Sequence, residues 1–260
     1  MQMAAFVRSY ALVALAALTA CAGLGSGPVA ATPWKDAQQL VLVTTADWNA
    51  TTGTLRRYER HGGQWREAGE PTPITVGRSG SAWGVGLHPA QPDAPQKQEG
   101  DGRAPAGVFR IGTAFGYADT ASTAWPYQGM SASDWCIDVP ASPLYNRIVD
   151  ARQVGDAAVE GSSEPMRRDL HAGGDVRYKL GFVIEHNPGN RSGAGSCIFA
   201  HLWRAPGEPT AGCTAMPEAA MRELLAWLDP RRKPVFALLP DNELERLHAA
   251  WDLPAPTPLH

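Results

Sequence analysis

Hydrophobic positions along the chain come in short runs separated by turn residues, a rhythm of strands more than of long helices. Leu40-Val41-Leu42-Val43-Thr44-Thr45 reads as a buried strand. A more polar strand follows around Thr54 to Tyr58, then the turn His61-Gly62-Gly63 and a return through Trp65, which together predict a hairpin. Residues 73–77 and 107–111 read as further short strands. Between them, residues 88–100 hold three prolines and little apolar surface, and form a loop. Residues 181–186 and 196–203 are two more strands. In the second, strict alternation places Cys197, Phe199, His201 and Trp203 on one face and Ile198, Ala200 and Leu202 on the other.

Helical spacing is clearest late in the chain. Met221, Leu224, Leu225 and Leu228 fall at i, i+3, i+4 and i+7, with Pro217 where the first turn begins. Residues 234–239 form a closing strand, and Asp241 is positioned to cap a last helix carrying Leu244, Leu247 and Trp251. From 112 to 176 no periodicity is sustained, and substrate-contacting loops most easily sit in such a stretch. The chain has 260 residues, 44% hydrophobic and 19% charged, enough for one sizeable core and too little for two full domains. With 27 glycines and 22 prolines spread along it, the fold class is mainly β with a few helices, a single domain over residues 35–258. There are no internal repeats and no linker.

A formal net charge of −3 gives no electrostatic case for nucleic acid as a partner. Residues 1–31 read as a targeting leader: Arg8 precedes an apolar run from Ala11 to Ala20 that is too short to span a bilayer. Leu18-Thr19-Ala20-Cys21 looks like a bacterial lipobox, with Cys21 lipidated at the mature N-terminus. The competing reading is plain cleavage after Val29-Ala30-Ala31. Both readings make the protein exported and periplasmic, the first with a lipid tether to a membrane. Of the four cysteines, Cys21 is then lipidated or lost, and the odd number remaining leaves at least one thiol unpaired. The expected pairing is Cys136 with Cys197, leaving Cys213 free, in a compartment that permits disulfides.

Cys213 lies in Thr210-Ala211-Gly212-Cys213-Thr214-Ala215-Met216, just ahead of the amphipathic helix. A glycine before it lets the backbone approach a substrate closely. A helix N-terminus there would stabilise a thiolate, and backbone N–H groups would face an oxyanion. The competing reading is a small buried hydrophobe or half of a disulfide. His201, twelve positions upstream, is brought back toward the thiol by a strand and a Pro- and Gly-containing loop, as base and later acid. His186, beside Asn187, is a secondary candidate to orient His201 or donate to substrate, against the plainer reading of a satisfied strand-end histidine. His88 and His171 sit in loops without partners. A zinc site from His186, His201 and Cys213 lacks a close-spaced ligand pair. Trp125, Trp135 and Trp203 are candidates to line a groove, although most of nine tryptophans belong in a core.

Two of these segments resemble signatures of the L,D-transpeptidase (YkuD-type) family. Gly100-Asp101-Gly102-Arg103-Ala104-Pro105-Ala106-Gly107-Val108-Phe109 looks like its P-x-G-x-F segment. His201 followed by Thr210-Ala211-Gly212-Cys213 and Met216 is similar to its His…(S/T)-x-G-C signature. The resemblance spans roughly residues 40 to 240 and implies a mostly β domain that acts on peptidoglycan stem peptides without metal or cofactor. Carried over, Cys213 is the nucleophile that attacks after the third stem residue and forms a thioester, passed to an amine or to water. His201 is its base, oriented by a nearby main-chain carbonyl. Gly212 and Thr210 belong to the substrate or oxyanion region. Three departures stand out: a shortened His-to-Cys interval, Leu202 where a small residue is usual, and Ala215 where the family generally has an arginine. Arg204, Arg167 or Arg168 are the candidates to replace that charge. The alternative function is a non-catalytic peptidoglycan-binding or envelope scaffold lipoprotein on the same fold.

Overall fold

The computed structural model describes residues 32–256; the leader and Cys21 lie outside them. The strands are β1 (Gln39–Thr45), β2 (Thr52–His61), β3 (Gln64–Glu67), β4 (Thr72–Thr75), β5 (Ser81–Trp83), β6 (Ala104–Gly116) and β7 (Tyr127–Gly129). They continue as β8 (Asp134–Cys136), β9 (Ile148–Asp150), β10 (Glu164–Pro165), β11 (Leu180–Ile184), β12 (Phe199–Leu202), β13 (Thr214–Met216) and β14 (Val235–Pro240). The main sheet runs β1-β14-β6-β11-β12-β13-β4-β2-β3, and β1 also pairs with β2. That extra pairing closes β1 through β2 into a barrel, and β3 extends from β2 as an edge strand. The hairpin expected around residue 62 is β2–β3, in register at His61 and Gln64.

The apolar runs decide which side faces the core. Leu40 to Val43 are buried throughout, paired in parallel with β14 and antiparallel with β2. Leu42, Phe182, Ala200, Leu202, Met216 and Phe236 belong to the main core. The helix α3 (Glu218–Trp227) adds Met221, Leu224 and Leu225 to it, as its spacing predicts. Two shorter helices, α1 (Ala151–Val154) and α2 (Arg168–His171), precede it, and α4 (Asp241–Leu247) ends the described fold. Pro240, not Asp241, occupies the cap position of α4, and Asp241 is in its first turn. Trp251 lies beyond that helix, edge-on to Trp34, and its carbonyl accepts the Trp34 indole N–H at 2.7 Å.

Residues 112–176 are more ordered than their sequence suggests. β6 continues to Gly116, β7 joins it in parallel, and β10-β8-β9 form a separate three-stranded sheet. Strands of two or three residues are too short for alternation to register. The strand expected over 196–203 is confined to Phe199–Leu202, because Cys197 takes a left-handed conformation (φ 54°) that breaks the alternation before it begins.

Candidate active site

β12 and β13 are neighbours and parallel, with Ala200 opposite Thr214 and His201 opposite Ala215. Register partners share a face, so Ala200, Leu202 and Met216 enter the main core, and Phe199, His201, Cys213 and Ala215 point to the other side. One step before that register Cys213 meets Phe199, whose N–H donates to Sγ at 3.4 Å. His201 is thus a diagonal neighbour of Cys213, a separation of about 7–8 Å between backbones that long side chains can bridge. The sulfur lies in a second, smaller apolar cluster with Met130, Met166, Tyr178, Cys197 and Phe199.

The location of Cys213 corrects one expectation. It directly precedes a strand, and α3 begins only at Glu218, so no helix N-terminus faces the sulfur. Its thiol is buried and donates toward the Cys197 carbonyl at 3.6 Å. Burial pushes the thiol up to about 12; the negative charge of Glu164 acts the same way, and the Phe199 N–H opposes it. The resting sulfur is therefore a neutral thiol, not the preformed thiolate expected from the sequence. His201 is also buried, which draws the imidazole down to about 4, helped by Arg177 and Arg168 and opposed by the Leu202 carbonyl. That carbonyl lies 2.7 Å from Nδ1, the main-chain contact the resemblance implies for the histidine. With Nδ1–H donating there, Nε2 is the basic nitrogen. Among the described residues no hydrogen bond joins His201 to Cys213; each is engaged elsewhere.

The loop that carries the cysteine is fixed by its own residues. Thr210 Oγ1 donates to the Cys213 carbonyl at 2.7 Å and accepts the Gly212 N–H at 3.0 Å. The Gly212 N–H is thus occupied, which removes it as an oxyanion donor in this state. Gly212 has φ 152°, and a Cβ on it would come within 3.0 Å of the Arg103 carbonyl. The two signature segments meet at this point. Within the first of them, Gly107 (φ 131°) leaves no room for a Cβ, which would overlap the His88 ring. His88 is consequently not without partners: it is buried and its Nδ1 accepts the Val108 N–H at 3.1 Å.

The disulfide pairs Cys136 with Cys197 and leaves Cys213 as the free thiol among the described residues. It ties β8 to the segment ahead of β12. Cys197 is held further by its N–H to Asn146 Oδ1 at 2.9 Å, and its carbonyl is the one that faces the thiol.

Other candidates are placed elsewhere. His186 is buried and satisfied at both nitrogens, by the Val85 N–H at 3.2 Å and the Ala194 carbonyl at 2.8 Å, so it neither orients His201 nor is free for substrate. Arg204 lies in an exposed turn and pairs with Glu208. Arg167 pairs with Asp169 at 2.7 Å. Trp125 donates to the Gly112 carbonyl against the main core, and Trp135 packs on His171. Among the described residues no group of three or more His, Cys, Asp or Glu side chains is arranged to hold a metal ion.

The segment from Glu164 to Tyr178 supplies residues around the imidazole, and of these the sequence singles out Arg168 alone, as a candidate for the missing charge. Tyr178 packs edge-on to His201, ring centroids 5.3 Å apart, and its hydroxyl donates to Glu164 at 2.6 Å. Arg168 lies over the Tyr178 ring and bonds Asp175 at 3.0 Å; Arg177 bonds the same carboxylate at 2.6 Å. Burial raises the Glu164 carboxyl above its ordinary range. The available signal was the density of charge between Glu164 and Arg177, which alternation analysis passes over.

A model of the YkuD L,D-transpeptidase catalytic domain matches residues 44–236. Among solved structures, that of Bd1075 from Bdellovibrio bacteriovorus is similar at 12% identity and a TM-score of 0.38, covering 78% of this chain and 48% of that one. The chain thus spans about half the length of that protein. No curated protein matches the sequence.

Proposed function

Because the chain belongs to the YkuD family of L,D-transpeptidase catalytic domains, we propose that it cleaves peptidoglycan stem peptides through a thioester on Cys213, with His201 as base. The observation that carries this reading is the pairing of β12 with β13, which sets the free thiol and the imidazole as diagonal neighbours on one face. The reaction starts from two neutral groups. As sulfur attacks the amide carbon, its proton passes to His201 Nε2, while the Leu202 carbonyl holds the Nδ1 proton and steadies the imidazolium. The imidazolium then protonates the departing amine, the terminal D-alanine, and the acyl group stays on sulfur. An amine acceptor completes transpeptidation and water completes carboxypeptidation.

Export to the periplasm, with a lipid at Cys21, belongs to the same reading. The Cys136–Cys197 disulfide supports it, since oxidising compartments sustain such bonds. The test is incubation of purified muropeptides with the wild type and Cys213→Ala. Loss or exchange of the terminal alanine by the wild type alone is expected, and equal product from both proteins sinks the assignment. A second reading, a non-catalytic wall-binding protein, draws on the hydrogen bonds of Sγ, which go to Phe199 and Cys197 and not to His201. It requires that muropeptides bind without any adduct or product, which intact mass would show.

A further inference from the structure

His201 heads a row of side chains across the outer face of the barrel. It stands opposite Ala215 in β13, and Ala215 stands opposite Thr75 in β4. Register partners share a face, so an imidazole and a hydroxyl flank a single methyl, their backbones about 10 Å apart over two strand spacings. Both end groups are buried, Thr75 to 1% exposure and His201 to 4%. Thr75 Oγ1 has no hydrogen-bond partner, and His201 Nε2 makes none among the described residues. Buried hydroxyls are seldom left so, and a polar gap between two such groups is where proteins keep water. Ala215 places only a methyl between the two groups.

We propose that Thr75 and His201 hold, above Ala215, the water that hydrolyses the Cys213 thioester, so that the acyl acceptor is water and the product a shortened stem peptide. The proposal rests on the roles given above to Cys213 and His201. The water oxygen bonds to the thioester carbon and one of its protons passes to Nε2. The other proton is held by Thr75 Oγ1 until attack. The C–S bond breaks, its electron pair stays on sulfur, and the imidazolium returns the proton to Sγ. A free carboxylic acid and the resting thiol result, with no redox partner needed.

Two measurements decide it. A high-resolution crystal structure of the resting protein should show one ordered water within hydrogen-bond distance of Thr75 Oγ1 and His201 Nε2; a dry gap overturns the proposal whatever the activity. In single-turnover reactions with a stem tetrapeptide, followed by intact mass, Thr75→Val should slow decay of the acyl-enzyme relative to its formation by roughly tenfold. Thr75→Ser, which keeps the hydroxyl, should restore that ratio. An unchanged ratio in Thr75→Val refutes the water position. Equal product from Cys213→Ala refutes the nucleophile instead, and the crystal structure then decides the water alone.

Discussion

The resting state described for Cys213 predicts an unusually sluggish thiol. A thiol near 12 is ionised to about one part in 10⁴ at pH 8, whereas one at the ordinary 9.0 is ionised to about one part in ten. Alkylation proceeds through the thiolate, so at pH 8 iodoacetamide should modify Cys213 roughly 10³ times more slowly than an open-chain cysteine. The rate should climb about tenfold per pH unit and show no plateau below pH 10. The assay is peptide mapping of the non-reduced native protein after timed alkylation, so that Cys136 and Cys197 stay in their bridge. Glu164→Gln gives a second reading of the same electrostatics. Its negative charge raises the thiol, so neutralising it should shift the whole profile toward lower pH and speed alkylation at pH 8. A plateau at or below pH 8 in the wild type would mean a thiolate already present, and the neutral-pair account would be wrong.

Acid should destabilise the fold through its histidines. His186 and His201 lie near 4 in the folded protein against 6.5 in the open chain, so the stability they confer is complete above pH 6.5 and is lost as pH falls toward 4. That is on the order of 3 kcal/mol each, and a melting temperature flat from pH 7 to pH 4.5 would contradict it. Removing the disulfide with Cys136→Ala/Cys197→Ala opens a loop of 61 residues, and chain entropy puts the cost at about 4 kcal/mol in a denaturant titration; a change under 1 kcal/mol would refute it. Thr210→Val deletes both hydroxyl contacts of the loop that carries Cys213 and should lower the rate of acylation at least tenfold at a cost of about 1–3 kcal/mol in stability, and Thr210→Ser should recover both. Gly107→Ala should cost several kcal/mol in unfolding measurements, and restoration by His88→Ala in the double variant would identify the ring as the obstacle.

The barrel was legible where one face of a strand is buried along several residues. β1, β14 and the β2–β3 hairpin carry apolar runs or turn residues that admit one assignment, and α3 shows its buried stripe at helical spacing. The Cys136–Cys197 pairing and the free Cys213 were legible as well, because an odd cysteine count leaves few arrangements. What the sequence hid was local geometry. The strand β13, three residues long, lies between Cys213 and α3, and nothing in Thr214-Ala215-Met216 distinguishes it from a helix lead-in. Likewise the residues around the imidazole come from Glu164, Arg168, Asp175, Arg177 and Tyr178, brought together by packing of a stretch whose strands are too short to leave a period. His186 misled for the opposite reason: a histidine at a strand end has the right chemistry, and only its two backbone contacts show that its nitrogens are spent.

With Cys213 directly ahead of a strand, the activation of the proposed nucleophile has a different source. A helix N-terminus would have supplied a standing positive field, and a thiolate could then wait for substrate. Here burial raises the thiol and lowers the imidazole, so proton transfer in the closed site runs uphill. The resting pair is compatible with catalysis provided the proton moves during bond formation and not before. The same burial has a further consequence: sulfur packed among Met166, Tyr178 and Cys197 and nearly unionised should be slow to oxidise. Reactivity toward a substrate that opens the cluster should accordingly exceed reactivity toward iodoacetamide by far more than intrinsic carbonyl chemistry explains, and comparable rates for the two would show that this packing plays no part.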